Sequence, residues 1–179
     1  MRKIFKAKPG EYPAYAEMYM KWIPDDGLIL KHLADNYQAV KTFIYGLPAE
    51  QLLRRYQPGK WSIKEILVHI VDDERIFSYR ALRFARGEQQ NLLGFDQDSY
   101  AKHSQADCRN LDNIFEEYEA VRRSTIALFN GLPENSLDRI GHGTGTFNDA
   151  TARALAYHIA GHEQHHIHFI RENYLKPRA

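Results

Sequence analysis

The sequence predicts an all-α protein: a four-helix bundle with an N-terminal extension. Four stretches carry apolar residues at helical spacing, turn signals separate them, and no segment shows the sustained alternation of a β-strand. The 179 residues match one domain of ordinary size, which can bury a core without disulfides. We predict an extension over residues 1–25 that packs on a bundle domain over residues 26–179.

The first two predicted helices have recognisable start and stop signals. The first runs from about Asp26 to Tyr45 and ends at a Gly-Leu-Pro turn. The second begins at Ser62, which can form a capping box with Glu65 because each side chain bonds the other residue's backbone N–H. It ends near Arg86, before a glycine.

The third and fourth predicted helices complete the bundle. The third runs from about Leu111 to Phe129 and ends at a second Gly-Leu-Pro turn. The fourth is expected to begin at Asn148 or Asp149, both favourable N-caps, and to run to about Tyr174. The connection between the second and third helices is long enough to cross the bundle, so these two helices can run parallel.

Charge and composition argue against several classes of function. The 24 basic and 23 acidic residues nearly balance, which leaves no basic excess for binding nucleic acid or an anionic membrane. The single cysteine, Cys108, fits a reducing compartment, residues 1–9 lack a signal-peptide core, and no apolar run could span a bilayer. We therefore expect a cytoplasmic protein that binds neither nucleic acid nor membrane. No activating motif surrounds Cys108, so it is not the expected nucleophile.

Histidine is the unusual residue of this composition, with nine in the chain and five of them between His158 and His168. At about 100° per residue, His162 and His166 fall about 20° either side of Leu155, in the middle of the apolar stripe of the fourth helix. Burying two imidazoles without partners is costly. Their spacing of four residues lets both rings reach one ion, so the pair predicts a metal site in the bundle core.

A third ligand is less clear from the pattern alone. His69 is the one histidine of the second helix and lies at the edge of its apolar stripe, where it can face a neighbouring helix. This position permits His69 to join the pair but does not demand it. His158 with His162 is a rival pair at the same spacing, and His158 could also close the site as a further ligand. Three histidine ligands would leave a position open for water or substrate.

The run from His162 to His166 also matches H-E-x-x-H, the motif that supplies two zinc ligands and a general-base glutamate in metalloproteases. The extended form of that motif requires a glycine at 169 and a histidine at 172, where this chain has Phe169 and Glu172. No strands are predicted that could hold a peptide. We therefore do not favour a protease, but Glu163 remains a candidate general base or a partner of the ligands.

Two segments together resemble the DinB/YfiT-like superfamily. One is Pro58–Phe77, with the sequence PGKWSIKEILVHIVDDERIF, and the other is Tyr157–His166, with the sequence YHIAGHEQHH. The resemblance covers about Leu28 to Tyr174. It implies a four-helix bundle that binds a metal through one histidine of the second helix and two histidines, four residues apart, of the last. Those positions fall on His69, His162 and His166.

The resemblance implies a range of activities. Members of the family include metal-dependent transferases that use thiols such as bacillithiol or mycothiol, an isomerase of maleylpyruvate, and hydrolases. It further implies a divalent ion such as zinc or nickel, and a homodimer. We therefore predict a metal-dependent enzyme, of the thiol-dependent S-transferase or hydrolase type, that acts on a small molecule. The alternative is a non-catalytic bundle stabilised by metal, or a stress-linked binding protein. Asp72 and Glu74 also match recurring positions of the family, in roles that the sequence leaves open.

Overall fold

The computed structural model describes residues 1–144 and 149–175, and four long helices form its body. In chain order the helices are α1 (Glu17–Met20), α2 (Ile29–Tyr45), α3 (Ala49–Leu52), α4 (Ile63–Ala85), α5 (Gln97–His103), α6 (Leu111–Gly131) and α7 (Ala152–Tyr174). Two short strands, β1 (Ile140–Gly141) and β2 (Ala150–Thr151), pair antiparallel. The all-α class predicted from the sequence is confirmed. Among the described residues, no helix has both the length and the hydropathy that crossing a membrane requires.

The predicted starts of the helices are correct for α4 and wrong for α7. Ser62 caps α4 in the predicted capping box, with both of its hydrogen bonds to Glu65 formed. The last helix begins at Ala152 and not at Asp149, because pairing of β2 with β1 keeps the chain extended through Thr151. Thr151 is the N-cap, and its side chain accepts a hydrogen bond from the Ala154 backbone. Asn148, the other predicted N-cap, lies outside the described residues.

The first bundle helix begins later than predicted, at Ile29. Asp26 stands before it, where its carboxylate accepts a hydrogen bond from the Leu28 backbone at 2.8 Å. The His32 ring lies 2.9 Å from the same carboxylate, so Asp26 connects the preceding loop to the first turn of the helix. An aspartate with these bonds stabilises a turn rather than continuing a helix.

Side-chain contacts of α4 with α7 and with α6 show the relative directions of these helices. The Tyr174 hydroxyl at the end of α7 donates to the Trp61 carbonyl just before α4, which makes the two helices antiparallel. At the start of α4, Lys64 donates to the Arg109 carbonyl just before α6. Further along, Arg75 of α4 pairs with Glu117 of α6 at 2.9 Å. These contacts confirm that α4 and α6 run parallel, as the long connection between them allows.

The N-terminal segment packs against the bundle and belongs to its core. Ile4 forms a bridge with Leu28, and its carbonyl accepts a hydrogen bond from the buried Tyr157 hydroxyl at 2.8 Å. Ala16 and Met20 are fully buried in the same apolar cluster. The boundary at residue 25 between an extension and a bundle domain stays a prediction, since the segment and the bundle share one core.

Gly161, in the middle of α7, lets the N-terminal segment approach closely. A Cβ added at this position would lie well inside van der Waals contact with the Tyr19 carbonyl, whereas a Cβ added at Gly131 would meet nothing within 4 Å. We expect Gly161→Ala to lower the free energy of unfolding by about 1–3 kcal/mol, because backbone and not a flexible side chain must move. Urea denaturation measures this loss. Gly131→Ala is the control, and an equal loss in both variants would contradict the explanation.

Candidate metal centre

Three imidazole rings converge between α4 and α7. His162 and His166 lie one turn apart on the face of α7 that packs against α4, and His69 faces them from α4. The Nε2 atom of His162 lies 3.1 Å from that of His69 and 3.0 Å from that of His166. Ligand atoms of all three residues lie within 4.8 Å of one another. The structure thus brings together the three histidines named from the sequence.

The chemistry of these three rings fits a divalent cation. Burial lowers the pKa of His69, and burial together with neighbouring imidazoles lowers the pKa of His162 and of His166 well below its usual value. The rings are therefore neutral near pH 7. A proton on the His162 Nε2 can point to only one of its two neighbours, so hydrogen bonding leaves nitrogen lone pairs facing each other. A cation at their centre would remove this repulsion, and tetrahedral zinc holds its nitrogens about 3.4 Å apart.

Asp73 is a site residue that the sequence analysis missed. Its Oδ2 atom lies 3.3 Å from the Nδ1 atom of His162 and 3.3 Å from the Nε2 atom of His158. A carboxylate on the second ring nitrogen fixes the orientation and tautomer of a ligating histidine. The signal was present in the sequence, because Asp73 lies four residues after His69 and inside the apolar stripe of α4, where a carboxylate needs a partner.

We expect Asp73→Asn to weaken metal binding by about 10- to 100-fold, the usual cost of losing the carboxylate partner of a ligating histidine. Asp72→Asn is the matched control, since the Asp72 carboxylate faces Arg75 and lies beside no histidine of the centre. Competition against a chromophoric chelator measures both affinities. Equal affinities for the two variants would contradict the role of Asp73.

Tyr19 of α1 brings the N-terminal segment to the centre. Its ring makes edge contacts with His158 and His162, with centroids 5.1 and 5.3 Å apart. Burial, with the nearby Asp73 carboxylate, raises the pKa of Tyr19 to about 12, so its hydroxyl keeps its proton. No helical periodicity predicts this contact, because α1 has only four residues.

His158 is buried beside the centre but does not join the three nitrogens. Its ring stacks on Phe77 at a centroid distance of 3.9 Å, and its Nε2 faces Asp73. Among the described residues, the one group able to offer three ligand atoms to an ion is the trio without His158. This arrangement favours the pair of His162 and His166 over the rival pair that includes His158.

Glu163 points into a buried ion-pair network and not toward the three nitrogens. Its Oε2 accepts hydrogen bonds from the Tyr118 hydroxyl and the Arg122 guanidinium, and its Oε1 accepts one from Gln164 at 3.2 Å. The residue is fully buried. A general base must reach the proton that it takes, and none of these partners is a ligand of the centre, so the contacts favour a structural role for Glu163 over both roles expected from the sequence. They also argue against the H-E-x-x-H reading of this helix.

Glu74 occupies the other side of the same network. Arg122 donates to both of its oxygens, at 2.9 Å from Nε and 2.9 Å from Nη2, and to the Leu33 carbonyl. Burial raises the pKa of Glu74 despite the neighbouring guanidinium. One arginine of α6 thereby links α2, α4 and α7. The role of Glu74, open in the sequence, is to hold α4 against α6 five residues beyond His69.

Two clefts reach the centre from outside. The first, which we name the aromatic cleft, measures about 670 Å³ and is lined by Arg55, Tyr56, Gly59, Lys60, Trp61, Glu65, Ile66, Asp98, Lys102, His165, His166, Phe169 and Tyr174. The second, which we name the aspartate cleft, measures about 420 Å³ and is lined by Tyr15, Tyr19, Asp73, Phe77, Arg80, Gly94, Phe95, Asp96, Gln97, Asp98, Thr144, His158 and His162. His166 therefore borders one cleft, His162 borders the other, and Asp98 borders both.

Comparison with known proteins agrees with this architecture. A family model described as the DinB superfamily matches residues 32–170. A curated protein of Oceanobacillus iheyensis, named as a candidate metal-dependent hydrolase, is 26% identical over 145 residues, which is 79% of this chain and 81% of that protein. The solved structure of YfiT from Bacillus subtilis, described as a probable metal-dependent hydrolase with an unusual four-helix bundle topology, superposes with a TM-score of 0.74. It is 18% identical, and the match covers 93% of this chain and 91% of that one.

Proposed function

The chain belongs to the DinB superfamily, and from that premise we propose that it is a metal-dependent hydrolase of small molecules. Its ion would be held by His69, His162 and His166. The observation that carries the proposal is the convergence of three neutral imidazoles, two of them buried and that of His166 partly buried. Their Nε2 atoms lie 3.0 and 3.1 Å apart across His162. The descriptions of the Oceanobacillus and Bacillus proteins as metal-dependent hydrolases support the same reaction class.

The residues around the centre have separate roles in this proposal. A divalent ion on three imidazoles would supply Lewis acidity, which polarises a substrate carbonyl and acidifies water. Asp73, whose Oδ2 atom lies 3.3 Å from the His162 Nδ1 atom, would orient the His162 ring. Tyr19 covers the His162 side of the centre, and Trp61, whose ring centroid lies 4.8 Å from that of His69, covers the other. Within the described residues no fourth histidine, cysteine or carboxylate joins the group, which supports a catalytic role over a structural one.

We further propose zinc or nickel as the ion, because imidazole ligands suit both. A cytoplasmic location stays a prediction from the composition, and a homodimer and a thiol co-substrate stay predictions from the resemblance. Thiol transfer and hydrolysis would use the same centre. The two reactions are therefore assayed in parallel on the same protein.

The test uses untagged protein, since a histidine tag would itself bind metal. Elemental analysis is expected to find one equivalent of zinc or nickel in the wild type and almost none in His162→Ala. Hydrolysis of a panel of activated aryl esters and amides is expected to stop on chelation and to return on adding the ion. A parallel series with cysteine or bacillithiol reports thiol transfer. One bound ion with no turnover in either series would favour the non-catalytic alternative.

A further inference from the structure

We propose that the aromatic cleft binds the substrate, and that the substrate is an aromatic molecule with one negatively charged group, such as an aryl carboxylate. The connection to catalysis rests on the proposed function. The binding claim itself rests on the rings and charges that line this cleft, and it can be tested without metal.

The apolar wall of the aromatic cleft consists of aromatic rings that meet edge to face. The Tyr56 ring contacts those of Phe169 and Tyr174, each at a centroid distance of 5.3 Å, and Trp61 stands by the His69 ring. Aromatic pairs prefer such edge-to-face contacts, so another ring inserted here would continue the arrangement. The volume of about 670 Å³ is in the range of small-molecule sites. These features favour an aromatic body over a sugar or a peptide.

The mouth of the aromatic cleft carries unpaired positive charge. Arg55 is neutralised, because it pairs with Glu65 and with Asp107. Lys60 and Lys102 are exposed, and within the described residues neither ammonium has a carboxylate partner. Asp98 alone opposes them, at the border with the other cleft. An anionic group on the ligand would therefore gain a charge-assisted hydrogen bond.

The aspartate cleft has the opposite balance and would repel an anion. Asp73, Asp96 and Asp98 line it, against the single guanidinium of Arg80. That guanidinium is already occupied, since it donates to the Leu93 carbonyl and lies over the Phe77 ring. The two clefts border different ligands of the same centre, so their charges would direct an anionic aromatic molecule to the His166 side.

The experiment measures binding of 2-naphthoate and of its neutral counterpart 2-naphthamide to metal-free protein by calorimetry. We expect naphthoate to bind about tenfold more tightly, as one hydrogen bond to a charged group provides. Protein labelled with 5-fluorotryptophan locates the site, because the chain has two tryptophans and only Trp61 lines the cleft. The ¹⁹F signal of Trp61 is expected to shift on binding, whereas that of Trp22, assigned with Trp22→Phe, is expected to stay in place.

Substitutions separate the charge from the aromatic wall. Lys60→Ala with Lys102→Ala is expected to remove the preference for naphthoate and to leave naphthamide binding unchanged. Lys31→Ala with Lys41→Ala, on α2, is the charge-matched control and should preserve the preference. Phe169→Ala is expected to weaken both ligands. Circular dichroism verifies that each variant is folded, and the comparison of the two ligands on the wild type needs no variant.

The outcomes distinguish this inference from the proposed function. Equal affinities for the two ligands, or a shift of the Trp22 signal without one at Trp61, would overturn the substrate class and leave metal binding intact. Naphthoate binding at Trp61 in a protein that neither binds metal nor hydrolyses esters would support the cleft and overturn the proposed function.

Discussion

Replacing Arg122 with methionine is expected to lower the free energy of unfolding by about 3–5 kcal/mol, because removing one partner of a buried ion pair leaves uncompensated charge in the core. Arg122 is 2% exposed and lies between the carboxylates of Glu74 and Glu163, which are equally inaccessible. Methionine fills much of the volume but offers no donor. Arg123→Met is the matched control, since Arg123 is the next residue of α6 and is exposed. Urea denaturation at pH 8 measures both variants.

The loss in Arg122→Met is expected to depend on pH. Burial raises the pKa of Glu74 in the folded protein, so its charged form opposes folding once the pH exceeds the usual value for glutamate, about 4.3. Without the guanidinium this opposition grows. Stability should therefore fall further as the pH rises from 5 to 8, and the deficit relative to the wild type should be larger at pH 8. A small deficit that is the same at both values would contradict an ionised pair in the core.

A saturating divalent ion is expected to raise the free energy of unfolding by about 2.7 kcal/mol at a hundredfold excess over its dissociation constant, because it binds the folded chain. His162→Ala is expected to abolish this stabilisation, since His162 Nε2 is the atom that both other imidazoles approach. His168→Ala removes an exposed imidazole of the same helix and is the control. Thermal unfolding with and without zinc or nickel measures the difference. Equal stabilisation of both variants would place the ion elsewhere.

The metal-free protein should lose stability in acid for a related reason. Burial lowers the pKa of His69, His162 and His166 in the folded state, whereas the unfolded chain takes up protons near the ordinary value of about 6.5. Stability that is present at pH 8 is therefore lost as the pH falls below that value. The ion needs the same lone pairs, so its stabilising effect should decline over the same range.

The parts of the fold that follow local rules could be predicted from the sequence. The capping box depends only on the three-residue spacing between Ser62 and Glu65. The inward direction of His162 and His166 depends only on the 3.6-residue period of the α-helix. The start of α7 could not be predicted, because it depends on the pairing of β1 with β2, and that pairing has no recognisable pattern in the sequence. The same holds for Tyr19, whose position above the histidines is set by its approach to Gly161.

The polar core shows a second limit of sequence reasoning. Asp73 could have been found, because its place in the apolar stripe of α4 is as unusual as that of the two histidines in α7. The role of Glu163 could not be assigned from the sequence. It follows the candidate ligand His162 along the chain, whereas its partner in the structure, Arg122, lies on another helix. Neighbouring side chains on a helix point about 100° apart. His162 therefore faces the three-histidine centre, whereas Glu163 faces the ion pair with Arg122.

The separation of the three imidazoles along the chain sets the order of events during synthesis. His69 lies in α4, but its two counterparts lie in α7, with α5 and α6 translated between them. A nascent chain that has emerged only as far as α6 holds one ligand and cannot capture an ion. If the proposed centre binds an ion, loading would wait until α7 has left the ribosome and docked, and a product interrupted before this helix would lack two of the three ligands.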